Sequence, residues 1–208
     1  MASTGCGKTI GNARIMYGLG HSKKGARFTI ALGLRVLTLQ TGQSFRDNLE
    51  LNAEQLAILV GGKANKKLFE LNQTLNGEDA PTGSESQQEL VDEWTHSDID
   101  YQDYAELGLG TVIDNKKAQD LLFAPVVACT LDHLMQASEC KRGGRYIVPQ
   151  LRLLSSDLIL DEPDDLDQED LPALSRLVYL AGLFGSRVLL SSATLGFISG
   201  LSCRACGV

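Results

Sequence analysis

Two kinds of apolar pattern alternate along this chain. Over residues 9–19, Ile10, Ala13, Met16 and Tyr17 recur near helical spacing and predict a helix, which Gly18 and Gly20 end. Residues 27–32 form a short β-rich run bounded by Gly25 and Gly33, which reads as a strand. A helix over about 36–51 and a second strand over 55–60 follow, the latter closed by Gly61 and Gly62. Further on, residues 125–129 predict a third strand. Thr130 then serves as the expected N-cap of a helix that begins Thr-Leu-Asp-His-Leu-Met. Residues 157–160 are a buried strand and residues 187–190 the last one. Between them, Leu171, Leu174, Leu177, Val178 and Ala181 mark one stripe of a helix over 167–184, provided it begins within a turn of Pro172. Strands alternating with helices predict an α/β fold with a mainly parallel sheet flanked by helices.

One region breaks the alternation. Residues 76–106 hold ten Asp or Glu and no Lys or Arg, with the turn-rich run Gly-Glu-Asp-Ala-Pro-Thr-Gly-Ser at its start. This composition predicts a solvated surface insertion or flap, with a short helix around 85–95 and Trp94, Tyr101 and Tyr104 available to pin it. The 208 residues and 43% apolar content suit one core, and the net charge of −7 gives no general footprint for nucleic acid. Any such contact is local, for example at the basic turn over 141–145, although a solvated loop explains that turn as well. Five irregularly spaced cysteines predict reduced thiols in a cytoplasmic protein. Cys203 and Cys206 form a C-x-x-C pair with no second pair to complete a zinc ribbon. No apolar run approaches the roughly 20 residues that cross a bilayer, so no membrane partner is expected.

The chemistry begins at the amino end. Ala2-Ser3-Thr4-Gly5-Cys6-Gly7-Lys8-Thr9 reads as a phosphate-binding loop, with Ala where the usual pattern opens on Gly. Gly5 and Gly7 let the backbone around Cys6 curl so that N–H groups point inward, and the helix that follows adds its positive end. Lys8 supplies a point charge for the β- and γ-phosphates of ATP, and Thr9 a hydroxyl for Mg²⁺. Alone, the same residues could be a glycine turn before a helix. Asp161 and Glu162 follow an apolar strand, where Asp161 suits Mg²⁺ and Glu162 can orient an attacking water. Alone, an Asp-Glu pair there is more simply a helix cap with a solvated neighbour. Ser192-Ala193-Thr194 stands at the end of the last strand. In parallel α/β sheets, ligands bind beyond the carboxyl ends of the strands, where all three motifs are expected.

Taken as a set, Ala-x-x-Gly-x-Gly-Lys-Thr, Asp-Glu-x-Asp and Ser-Ala-Thr resemble the motifs of superfamily-two helicases. Over residues 1–12, 27–43, 125–135 and 156–195, the chain more closely resembles the helicase–nuclease of type I CRISPR interference, subtype I-F. That resemblance implies a RecA-like P-loop domain over 1–195 with an atypical tail over 196–208. It gives motif I to Gly5, Gly7, Lys8 and Thr9, motif II to Asp161, Glu162 and Asp164, and motif III to Ser192 and Thr194. It puts Arg35 in the segment like motif Ia and Thr130 at a junction that contacts the backbone of single-stranded DNA. The partners implied are single-stranded DNA, the CRISPR surveillance complex and acquisition proteins. Departures are equally plain. No His-Asp nuclease dyad is present, since His21, His96 and His133 are isolated, and no second RecA-like domain supplies an arginine finger. The strand that normally precedes the phosphate loop is also missing. The expectation is a fragment of an ATP-dependent single-strand translocase, weak or inactive alone. The alternatives are a regulatory or pseudogene fragment without catalysis, and a P-loop ATPase of another family.

Overall fold

The computed structural model describes residues 7–23, 25–60, 113, 116–139, 144–163, 166 and 169–192. Its elements, in chain order, are α1 (Lys8–Leu19), β1 (Phe28–Leu32), α2 (Arg35–Leu49), β2 (Leu56–Leu59), α3 (Lys116–Phe123), β3 (Val126–Thr130), α4 (Asp132–Glu139), α5 (Ile147–Ser155), β4 (Asp157–Asp161), α6 (Leu171–Leu183) and β5 (Val188–Ser191). The expected acidic flap, the C-x-x-C pair, the tail and the residues before Gly7 lie outside the described residues, and so does the question of a strand preceding the phosphate loop.

All the strand pairings are parallel, in the order β2-β3-β1-β4-β5. Every residue of β1, β2 and β3 is buried, which is why these strands read as continuous apolar runs. β5 stands at one end of the order, and three of its four residues are only partly buried. Right-handed crossovers set the layers. The chain moves one way across the sheet from β1 to β2, which puts α2 on one face. It returns from β2 towards β5 by way of α3 to α6 on the other. Two cores result. Ala13 and Met16 of α1 and Leu39 and Phe45 of α2 pack under Phe28, Ile30, Leu56 and Ile58. Leu134, Leu153, Leu174 and Leu177 cover Ala31, Val127, Leu158 and Leu160 on the opposite face. Where α2 crosses β2, Gly42 lies so close that a Cβ would overlap Ile58.

The alternation therefore forms as expected, with differences at the element ends. β3 runs one residue further, through Thr130, and α4 starts at Asp132. Thr130 is a strand residue and not the expected N-cap, because its backbone continues the ladder opposite Leu32. The expected helix over 167–184 starts only at Leu171, with Pro172 in its first turn, where proline lacks no bond it could have made. Helices α3 and α5 were not expected from the apolar pattern.

Three arginines secure the amino ends of the strands. Arg152, on α5, is fully buried. Its Nε donates to Thr29 Oγ1 at 2.6 Å, one terminal nitrogen to Phe28 O at 2.8 Å and Pro125 O at 3.2 Å, and the other to Ala124 O. Thr29 Oγ1 also meets Ser156 Oγ at 3.2 Å, and Ser156 donates to Arg152 O at 2.9 Å. Arg27 donates to the carbonyls of Leu122, Phe123 and Ala124, the last turn of α3, where a cation also suits the helix dipole. Arg187 grips both carboxylate oxygens of Asp157 and donates to Leu19 O at the end of α1.

Candidate functional site

The carboxyl end of the sheet is built in register. Thr130 of β3 stands opposite Leu32 of β1, Leu32 opposite Asp161 of β4, and Asp161 opposite Ser191 of β5. One row across four strands thus carries the end of the third strand, the Asp161 carboxylate and the residue before Ser192. At this end α1 begins. Gly7 precedes it at φ 75, a left-handed conformation that favours glycine, and no side chain caps the helix. The first N–H groups of α1 therefore have no side-chain acceptor at the N-cap, which suits an anion.

Lys8, the first residue of α1, reaches across the sheet end, and its Nζ pairs with Glu162 Oε1. Glu162 is one of two non-glycine residues with positive φ among the described residues, at 51°. Its N–H donates to Ser191 O at 2.7 Å, continuing the β4–β5 ladder one step past Asp161. The left-handed turn then ends the strand and directs the carboxylate back towards α1. A bulky residue held in this region costs of order 1–3 kcal/mol, a strain that concentrates at functional sites. Asp161, just before it, is 6% exposed.

Lys8 and Glu162 border a cavity of about 650 Å³. Gly7, Thr9 and Ile10 line it from α1, Asp161 from β4, and Gln40, Thr41, Ser44 and Asn48 from α2. Of the expected site residues, Gly7, Lys8, Thr9, Asp161 and Glu162 thus come together. Arg35 and Thr130 lie at the same end of the sheet but do not line the cavity. Ser192 directly follows β5. Gly5, Cys6, Asp164 and Thr194 lie outside the described residues. The polar wall on α2 was not singled out from sequence, although Gln40, Ser44 and Asn48 are spaced i, i+4, i+8 and were legible as one helix face. Its remaining donors and acceptors can bind along a ligand that enters between the helices.

Beside the cavity, the β3–α4 turn holds a second polar group. Thr130 Oγ1 and His133 Nε2 are buried and have no hydrogen-bond partner among the described residues. Arg35, at the start of α2, stands 4.0 Å from the exposed carboxylate of Asp132. Burial pushes the His133 imidazole below its ordinary range, helped by the positive charge of Lys117 and, more weakly, Arg35, while Asp132 acts the other way. Deeper in β3, burial pushes the Cys129 thiol up to about 12, against the pull of Arg152, so this free thiol is inert in the folded chain. Cys129 lines the core and plays no part at the site.

Thr9 and Asp161 offer a hydroxyl and a carboxylate at the cavity, an oxygen-only pair that suits a hard cation such as Mg²⁺. No cluster of three His, Cys, Asp or Glu stands together among the described residues, so no all-protein metal cage forms there. No described helix is long and apolar enough to cross a membrane.

No protein-family model matches the chain. Sequence comparison finds the CRISPR-associated nuclease/helicase Cas3 subtype I-F/YPEST of Pseudomonas aeruginosa, 57% identical over 200 residues, and that of Pectobacterium atrosepticum, 52% identical over 200. In both cases the match takes in 94% of this chain and 18% of the relative's length. The fold is similar to that of crystal structures of T. fusca Cas3, with a TM-score of 0.60 over 93% of this chain, and of T. fusca Cas3-ADP, with 0.59 over 94%. Each of these is 20% identical and is matched over 18% of its own chain. By sequence, the chain is similar to one stretch of the subtype I-F Cas3 nuclease/helicases, about 18% of their length.

Proposed function

We propose that this chain forms the nucleotide-binding part of an ATP-driven single-strand DNA translocase of CRISPR interference. The observation that carries the reading is the meeting of Lys8 with Glu162, 154 residues later, at the mouth of a cavity floored by Asp161. Gly7 and the start of α1 receive the phosphates through backbone N–H groups, in company with Gly5 and Cys6. Lys8 leaves Glu162 and takes the β- and γ-phosphates. The same exchange frees the Glu162 carboxylate to accept a proton from, and orient, the water that attacks the γ-phosphate. Thr9 and Asp161 would hold Mg²⁺, which supplies charge neutralisation on the phosphate oxygens. Nucleotide found in the related T. fusca Cas3-ADP structure supports this use of the fold.

Arg35 and Thr130 lie on the path of the single strand, which they meet through phosphate rather than base. Ser192 and Thr194 connect that path to the nucleotide. No arginine lines the cavity among the described residues, so a transition-state finger comes from elsewhere. Without it, hydrolysis by this chain falls by about 10³- to 10⁵-fold. The surveillance complex, acquisition proteins and a cytoplasmic setting follow from the family reading.

The test is saturable binding of fluorescent ATP with Mg²⁺ by the purified chain, beside Lys8→Ala. Binding that the variant loses supports the reading. A folded chain that binds no nucleotide, or binds it equally well without Lys8, overturns it.

A further inference from the structure

We propose that the α2 wall of the cavity is its nucleoside subsite, and that Asn48 selects the base there by accepting the exocyclic amino group of adenine. The inference rests on the nucleotide reading of the cavity and adds to it a residue outside the helicase motifs.

The described lining divides by charge. Its charged groups are Lys8, Asp161 and Glu162, which stand with Gly7 and Thr9 where a triphosphate and its cation belong. The α2 wall is polar and neutral. Gln40, Ser44 and Asn48 recur every fourth residue on one face of the helix and extend over about 12 Å. Thr41 lies beside them and is 5% exposed. A triphosphate occupies only the charged end. The rest of the wall offers amides and hydroxyls without formal charge, which suit a sugar and a base. The cavity volume of about 650 Å³ lies within the roughly 300–1,000 Å³ of small-molecule sites.

Asn48 supplies the selectivity because its amide is held one way round. Its Nδ2 donates to Ser44 O at 3.0 Å and to Ser44 Oγ at 3.2 Å, one turn back on α2. The reversed amide would set Oδ1 against the Ser44 carbonyl, acceptor against acceptor. The donor end is therefore committed, and Oδ1 is the end offered to a ligand. An acceptor fixed in this way takes an amino hydrogen and opposes a carbonyl oxygen. Adenine carries an amino group at C6, where guanine and hypoxanthine carry an oxygen. The wrong base loses one hydrogen bond and also brings two acceptors together, so it is rejected by more than the missing bond.

The test is calorimetric titration of the full chain with ATP, ITP and inorganic tripolyphosphate, each with Mg²⁺, for wild type, Asn48→Ala and Lys8→Ala. ITP differs from ATP at the base edge in question, and tripolyphosphate reports on the charged end alone. The wild type is expected to bind ATP roughly 10-fold more tightly than ITP. Asn48→Ala is expected to bind the two alike, to hold tripolyphosphate as the wild type does and, since Asn48 is exposed, to unfold at the wild-type temperature. If Lys8→Ala loses binding but the wild type binds ATP and ITP alike, or ATP no better than tripolyphosphate, or if Asn48→Ala keeps the wild-type preference, the proposal fails while the nucleotide reading stands. If the wild type binds neither ATP nor tripolyphosphate, or Lys8→Ala binds them equally well, the reading fails and the proposal with it.

Discussion

Thr29 and Thr130 are buried hydroxyls on neighbouring strands, one near the amino end of β1 and the other at the carboxyl end of β3. Thr29 accepts from Arg152 and meets Ser156, while Thr130 has no partner among the described residues. The contrast extends to the whole of each end. At the amino ends, Arg27, Arg152 and Arg187 spend their donors on strand and helix carbonyls and on Asp157. At the carboxyl ends, the Thr130 hydroxyl and the His133 Nε2 are buried and unpartnered among the described residues, Glu162 sits in a strained backbone conformation, and a lysine and a glutamate pair across a cavity. Buried polar groups are normally satisfied, and those that are not call for an explanation. Here they gather where the ligands of a parallel sheet bind. One end is built for stability, and the other withholds hydrogen bonds that a ligand or another segment can make.

The largest effect is expected at the satisfied end. Arg152→Met keeps much of the side-chain volume but breaks a buried network, taking the guanidinium from Thr29 and from the carbonyls of Phe28, Ala124 and Pro125, of which Ala124 keeps Arg27, Pro125 the Phe28 N–H and Thr29 only Ser156. Each buried acceptor left unpaired costs about 1–3 kcal/mol, so the variant should lose about 3–5 kcal/mol of stability. Urea unfolding measures it. A loss below about 1 kcal/mol would show that water replaces the guanidinium and that this end is not the anchor described.

At the other end, Lys8→Ala should invert the profile. The pair it breaks is partly exposed, so stability should change by no more than about 1 kcal/mol. Nucleotide affinity should fall roughly 10- to 100-fold, the worth of a charge-assisted hydrogen bond. Calorimetric titration beside thermal unfolding separates the two numbers, and a large stability loss with unchanged affinity would reverse the assignment of the two ends.

The two threonines give the closest comparison, since the same substitution is made in each. Thr29→Val removes the hydroxyl from Arg152 and Ser156 and should destabilise by about 1–3 kcal/mol. Thr130→Val removes a hydroxyl that has no partner among the described residues, so it should be neutral or stabilising by up to about 1 kcal/mol. Its cost should appear only as weaker single-strand binding. Equal losses in the two urea titrations would mean that Thr130 is satisfied by a group outside the described residues.

This asymmetry was only half legible in the sequence. The carboxyl end could be read because its chemistry is written in local motifs. Glycines around Lys8 and carboxylates after an apolar strand are each ambiguous alone but imply a site as a set, and the strands were readable because residues buried on both faces form unbroken apolar runs. The amino end is made of residues that composition rules place outside. Nothing in the run Gln150-Leu151-Arg152-Leu153 marks the arginine as fully buried, because its partners are carbonyls up to 124 residues away. α5 itself was hidden by Pro149, which reads as a breaker until the helix is seen to start two residues before it. α3 is a single pair of turns whose apolar face, Leu121 and Leu122, is too short to show a period. The Lys8–Glu162 pair was expected as two halves of one site, but the left-handed turn at Glu162 that joins them has no signature in residue type.

The smallest effect concerns His133, and it tests whether the unpartnered end costs stability at low pH. Burial, with Lys117 and Arg35 nearby, holds its ring below the ordinary imidazole range of about 6.5. Unfolding releases the ring to water, where it protonates at its ordinary value. Below that pH the unfolded chain therefore binds a proton that the folded chain refuses, and stability falls as pH falls. The loss begins near pH 6.5 and continues down to the lowered folded value, with a slope for one proton of at most about 1.4 kcal/mol per pH unit. His133→Gln carries no titrating group and should flatten the stability profile by that share between neutral pH and pH 5.5, leaving the value at pH 8 nearly unchanged. Carboxylates elsewhere contribute equally to both proteins, so the difference between the two profiles isolates the ring. Parallel profiles would mean that His133 gains a partner for its charged form, which would place an acceptor at this end that the comparison with the amino end leaves open.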